Sequence, residues 1–249
     1  MFPLLALAAA PAAAAATVPI CPAEIVRDYP RDSTSFTQGL LIHEGKLYDG
    51  TGQPGRSRVA ILDLATGKAL RQSPIPAPQF GEGIARWKDQ LVSLTWQSGI
   101  GYRWRLSDLK PLGTFRYDGE GWGLTTLGNR LVLSDGNPVL RFFDPTTMKQ
   151  TGSVPVTLRG QPLGKINELE AIDGQIWANV WMTDFIVRID PATGKVVSVV
   201  DLRGLKEKAG AIGPDSVLNG IAFDARTRKT YVTGKNWPKL YEIRVGACA

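Results

Sequence analysis

The chain has 249 residues, with 29 Lys and Arg against 23 Asp and Glu and a net charge of +6. The basic residues are interleaved with acidic ones, and no basic run or aromatic–basic ladder marks a nucleic-acid groove, so no nucleic-acid partner is expected. A single histidine and two cysteines argue against a zinc centre, which wants three or four ligands with His or Cys prominent; Glu and Asn oxygens leave a calcium site open.

In chain order, Phe2–Ala16 comes first. It is apolar and Ala-rich, and Ala14-Ala15-Ala16 offers an A-x-A-like cleavage site. The stretch is short for a bilayer span. Residues 1–16 therefore read as an export signal and 17–249 as one domain. A periplasmic or secreted protein is predicted, off the membrane once the signal is cleaved; the alternative is a retained tether. AEIVRDYP at Ala23–Pro30 then has the character of a strand.

From Phe36 onward the chain repeats. FTQGLLI (Phe36–Ile42), FGEGIAR (Phe80–Arg86), EGWGLTT (Glu120–Thr126), INELEAI (Ile166–Ile172) and LNGIAFD (Leu218–Asp224) each open a unit of the same grammar. The residue before the repeated Gly is Gln38, Glu82, Trp122, Asn167 and Asn219, at spacings of 44, 40, 45 and 52. The Gly itself is kept at Gly39, Gly83, Gly123 and Gly220, with Glu168 in the fourth copy. A period in the forties with strand-rich units is the mark of a β-propeller. Second strands read as KLYDG, QLVSLTW, RLVLSDG, QIWANVW and KTYVTGK. Third and fourth strands flank turns such as LDLATGKAL, FFDPTTMKQ and RIDPATGKVV, where Asp caps, Pro presets φ and Gly takes positive φ. Helical periodicity is nowhere sustained; Leu202–Gly210 reads as one or two turns in an insertion. Gly50-Thr51-Gly52-Gln53-Pro54-Gly55 fits G-x-G-x-x-G, but a strand follows it, so the dinucleotide fingerprint fails its context test.

The fifth unit has only three strands before the chain ends. Ala23–Pro30 can supply the fourth, so the expected fold is an all-β, five-bladed β-propeller closed by its N-terminal strand. Cys248 then ends the third strand and Cys21 begins the fourth, in place of the usual turn. A Cys21–Cys248 disulfide is expected there, the alternative being two unpaired thiols. A closed ring leaves few free strand edges, so a monomer is expected.

In a propeller, first strands line the axis and the ends of second strands rise beside them. The second-strand ends are Gly52, Trp96, Asp135, Trp181 and Lys235. Together with the five positions before the Gly, they predict one pocket of tryptophans, a carboxylate, a lysine and amides, with Phe36 and Phe80 as further apolar wall. Trp87, Trp104 and Trp177 fall in strand patterns and read as core, and Trp237 as either rim or floor. Glu168 and Glu170 compete with Glu82 as the working acid, though Glu168 replaces the Gly and should face away. Asp135 could instead pair with Lys235 or cap a turn.

FTQGL, FGEGI, LTW at Leu94–Trp96, EGWGL, NELE, ANVW at Ala178–Trp181 and VTGKNWPKLYEI at Val232–Ile243 closely resemble the plant- and bacterial-type glutaminyl-peptide cyclotransferases. The likeness runs through the whole chain after the signal. It implies an acyltransferase that converts N-terminal glutamine of peptides to pyroglutamate and releases ammonia, with no metal and no cofactor. It also implies Glu82 as acid/base, Gln38, Asn167 and Lys235 as polar partners, and Phe36, Phe80, Trp96, Trp122 and Trp181 as the apolar enclosure. The chain departs in a short second blade and an insertion at Leu202–Ser216. Two rival readings use the same architecture: a non-catalytic propeller binding a peptide or sugar, and a metal-dependent lactonase or lyase. The first does not account for Glu82 and Lys235 converging; the second lacks histidines.

Overall fold

Most of the described residues lie in a short strand or the turn that follows it. The computed structural model describes residues 17–249, so the expected export signal lies outside the described residues. Strand β1 (Ile20–Pro30) comes first. A meander follows, β2 (Thr37–His43), β3 (Lys46–Thr51), β4 (Arg58–Asp63) and β5 (Ala69–Pro74), and then a second, β6 (Gly81–Trp87), β7 (Gln90–Thr95), β8 (Ile100–Arg105) and β9 (Pro111–Arg116). The third is β10 (Leu124–Leu127), β11 (Arg130–Leu133), β12 (Val139–Phe143) and β13 (Gln150–Pro155), trailed by a small hairpin of β14 (Thr157–Leu158) and β15 (Gln161–Pro162). The fourth is β16 (Ile166–Ile172), β17 (Gln175–Val180), β18 (Phe185–Ile189) and β19 (Val196–Asp201). Helix α1 (Leu205–Ala209) sits in the insertion, inside the stretch expected to make one or two turns. Strands β20 (Leu218–Asp224), β21 (Lys229–Gly234) and β22 (Lys239–Val245) end the chain.

The fold is all-β and propeller-like. Burial falls outward along each meander: β3 and β7 are buried along most of their length, whereas β5 and β9 are almost wholly exposed. Five apolar clusters each fill the gap between two successive strand units. Tyr29, Tyr231 and Leu240 of the last unit pack on Leu40, Leu47 and Ala60 of the first. First strands touch in a ring, β2 with β6 and β20, β16 with β10 and β20, and β10 with β6. The repeated Gly makes this possible. A Cβ on Gly39 would lie 2.5 Å from the Ile84 nitrogen, and one on Gly123 would lie 2.1 Å from the Asn167 oxygen.

The turns obey the chemistry read from them. Asp63, Asp144 and Asp190 accept hydrogen bonds from the threonine hydroxyl three residues on. As expected, β1 pairs antiparallel with β22, Ala23 to Val245 through Pro30 to Lys239. The Cys21–Cys248 disulfide forms, across 227 residues of sequence. One pairing was not foreseen. Ile20–Pro22 continues parallel along Val199–Asp201 of β19, so the last two units merge into one eight-stranded sheet. Beyond β1, a buried Arg31–Asp49 ion pair at 2.9 Å ties the closing strand to the first meander.

Candidate active site

Four of the five first strands break register where they face the axis. The irregularities fall between Thr37 and Gly39, Gly81 and Ile84, Ile166 and Leu169, and Leu218 and Ile221. They enclose Gln38, Glu82, Asn167 and Asn219. An irregularity of this kind re-aims a side chain, here toward the ring's mouth. In the third unit β10 starts only at Leu124, leaving Trp122 in the loop before it.

The result is one cavity of about 460 Å³. Phe36, Gln38, Phe80, Glu82, Trp96, Trp122, Asn167, Trp181 and Lys235 all line it, so the nine side chains expected together are together. Phe36 meets Phe80 edge-on at 6.0 Å, Phe80 meets Trp96 at 5.9 Å, and Trp122 meets Trp181 at 5.7 Å. The floor is polar and ordered. Asn219 donates from Nδ2 to Gln38 Oε1 at 3.2 Å, and Gln38 donates from Nε2 to Glu82 Oε1 at 3.2 Å. Lys235 Nζ stands 4.8 Å from the centre of the Phe36 ring. Asn167 is buried and its Oδ1 has no hydrogen-bond partner. Leaving a buried acceptor empty costs about 1–3 kcal/mol, which a bound N–H group would relieve.

Electrostatics divide the charged groups. Burial drives the Glu82 carboxyl well above the ordinary carboxylate range; the Lys235 ammonium pulls it down and Glu120 pushes it up. Burial lowers Lys235, opposed by Glu82 and Asp215. Burial thus brings the two groups toward one another in proton affinity. A carboxyl tuned upward by burial suits acid/base work near neutral pH.

Not every second-strand end reaches the cavity. At Gly52 a Cβ would collide with the Phe80 ring at 2.1 Å, so the glycine is seating for that wall. Asp135 turns away: it pairs with Arg141 at 3.4 Å and caps the Asn137 nitrogen at 3.1 Å, and makes no pair with Lys235. Asn219 lies beneath Gln38 rather than in the lining. Glu168 does face away from the slot, bridging the Leu40 and Ile221 nitrogens at 3.2 and 2.8 Å. Glu170 accepts from the Phe223 nitrogen at 3.0 Å and lines a cavity that does not include Glu82. Trp104 and Trp177 are buried core, Trp87 packs partly buried against it, and Trp237 is buried with its Nε1 donating to the Ser216 oxygen at 3.0 Å. His43 ends β2 beside the turn into β3. Among the described residues no group of three or more His, Cys, Asp and Glu is placed to hold a metal ion.

Two lining residues escaped the sequence reading, Glu120 and Asp215. Glu120 opens the EGWGL segment two residues before Trp122, and that adjacency was the available signal. Asp215 lies in the insertion, where no repeat offered a template.

A family model described as glutamine cyclotransferase matches residues 1–245. A curated relative from Arabidopsis thaliana, named glutaminyl-peptide cyclotransferase, is 39% identical over 227 residues, 89% of this chain and 71% of the relative. The crystal structure of Myxococcus xanthus glutaminyl cyclase superposes with a TM-score of 0.89 at 37% identity, covering 94% of this chain and all of that one.

Proposed function

Because the chain belongs to the glutamine cyclotransferase family, we propose that its aromatic slot is the active site and that Glu82 is the proton shuttle there. The protein is a glutaminyl-peptide cyclotransferase: it converts N-terminal glutamine of peptides to pyroglutamate with release of ammonia. The observation that carries the site assignment is Glu82, buried on the floor of an aromatic-walled cavity with Lys235 and the empty Asn167 acceptor beside it.

The reaction asks for these groups. The substrate's α-amine attacks its own γ-carboxamide carbon, forming the C–N bond of a five-membered lactam. Glu82 takes a proton from the amine and returns it to the departing amide nitrogen. The old C–N bond then breaks and ammonia leaves. Moving one proton through one carboxyl is worth about 10²–10⁴-fold. Negative charge develops on the carbonyl oxygen, where Lys235 is the donor at hand. Asn167 Oδ1 receives an N–H of the substrate. The tryptophans fold the glutamine side chain back on its own amine, supplying orientation in advance, and exclude the water that would hydrolyse it to glutamate.

The five clusters and the ring of first strands support a five-bladed propeller, closed by β1 in the last blade. We read 17–249 as one catalytic domain working as a monomer without metal or cofactor. A disulfide belongs in an oxidising compartment, which supports a periplasmic or secreted location with 1–16 as the export signal. No helix among the described residues is long and apolar enough to cross a membrane.

Ammonia release from a glutaminyl dipeptide amide, with EDTA present, tests the function and the absence of a metal together. Steady release is expected. A folded protein inert toward a panel of second residues would favour a peptide-binding propeller instead, and activity restored only by added metal would overturn the metal-free chemistry.

A further inference from the structure

Trp96 is 39% exposed, an unusual state for a large aromatic side chain that must form a wall. Little of the core holds it. Its indole nitrogen instead donates to Glu120 Oε2 at 2.7 Å. The same oxygen accepts from the Trp122 indole at 2.9 Å, while Oε1 accepts from Gln97 Nε2 at 2.9 Å. One carboxylate therefore binds two walls that come from different strand units. It lines the cavity itself, so the tie is made at the slot and not behind it.

We propose that Glu120 is a positioning residue that clamps Trp96 and Trp122 into the walls of the slot, a proposal that rests on the function given above. Partial burial raises the proton affinity of Glu120, but the donors from Trp122, Gln97 and Trp96 outweigh it and keep its carboxyl below the ordinary range. The clamp is thus ionised at neutral pH. Acceptors that carry charge make the stronger hydrogen bonds. Rotamers locked before the substrate arrives spare it the cost of ordering them. The clamp has a second effect through space. Glu82 feels Lys235, which follows β21, and Glu120, which precedes β10; Gln38 of β2 bonds it, and Tyr117, after β9, whose hydroxyl is raised chiefly by burial, feels its charge in turn. Of the charged groups, Glu120 alone raises Glu82.

Two variants separate clamp from charge. Glu120→Ala removes both. Glu120→Gln keeps an oxygen that accepts both indoles, provided Gln97 turns its own oxygen to the new NH₂. For Glu120→Ala, kcat/KM on a glutaminyl dipeptide amide is expected to fall about 10–100-fold, mostly through KM. Its tryptophan emission shifts to the red and acrylamide quenches it more. For Glu120→Gln, emission and KM stay near wild type, and the acid limb of the kcat/KM profile moves to lower pH. Wild-type KM and emission in Glu120→Ala would overturn the clamp. So would lost activity accompanied by a lower melting temperature and unchanged emission. A wild type inert on glutaminyl peptides would sink the proposed function instead, and the emission comparison, which needs no turnover, would still decide the clamp.

Discussion

Replacing Glu82 by glutamine changes one oxygen to an NH₂ in a side chain that is 5% exposed. The shape is kept, and the amide oxygen can still accept from Gln38 Nε2, now at 3.2 Å. Only the proton exchange is lost. General acid/base catalysis by a placed carboxyl is worth about 10²–10⁴-fold, or ~3–5 kcal/mol of barrier. The upper end is expected, because no other carboxyl around the slot matches the need. Glu120 is held below the usual range by three donors, and Asp215 is exposed on the rim. Stability should move the other way. The Glu82 carboxyl binds its proton more tightly in the folded chain than the ordinary value of 4.5. The stability it contributes is therefore complete below that value and is lost as pH rises through the folded one. The glutamine variant has no such loss, so at alkaline pH it should melt no lower than wild type. Coupled ammonia release at pH 8 and melting by circular dichroism, on both proteins in parallel, measure the two effects. A variant within tenfold of the wild-type rate would refute the shuttle, and an inactive one that melts well below wild type would show a structural role instead.

Asn167→Leu should cut kcat/KM about 10²-fold, as loss of one oriented polar group at a reacting centre does. Melting should hardly change, because the empty buried acceptor goes with it; a large drop in melting temperature would show that Asn167 serves the fold. Glu170 is raised to about 8 by burial, with hydrogen bonds from Phe223, Thr125 and Ala171 opposing. Wild-type stability should therefore decline between about pH 4.5 and pH 8, and Glu170→Gln should make that part of a melting-temperature profile less steep without altering kcat; Glu82 and Glu168, also raised by burial, keep the rest of the slope. Replacing Cys21 and Cys248 together by serine should cost about 2–5 kcal/mol of stability in denaturant titrations, with kcat unchanged while the protein is folded.

The repeat made most of the site legible. A fixed period puts equivalent residues at equivalent heights, so Gln38, Glu82, Trp122 and Asn167 could be grouped without coordinates, as could Trp96, Trp181 and Lys235. Where a unit departs from the template, the inference failed for a local reason. Strand β11 ends at Leu133, and Gly136 bends the chain at a φ of 80° under the Trp122 ring. Asp135 is then turned to Arg141 instead of the slot. The first unit has Gly52 where the second and fourth have Trp because the Phe80 ring already fills that place. The strand register breaks that aim Glu82 and Asn167 leave no periodic trace, since a bulge adds a residue without changing the type of residue around it. The parallel run of Ile20–Pro22 along β19 was hidden by its length, three residues ending in a proline.

The closing strand has a consequence for the order in which the molecule is made. Among the described strands β1 is synthesised first, yet its antiparallel partner β22 is the last of them to appear. Between those moments its hydrogen-bonding edge stays unmatched, and such edges invite pairing with other chains. Contacts spanning nearly the whole chain are also the slowest to form, because loop closure precedes any gain from them. The four meanders can each fold as they emerge, from hairpins of neighbouring strands. The last unit cannot be finished until both ends of the chain meet. Moving Ile20–Pro30 to follow Val245, in a circularly permuted chain, would turn that final step into one more local hairpin. Such a chain should refold faster while keeping the same slot.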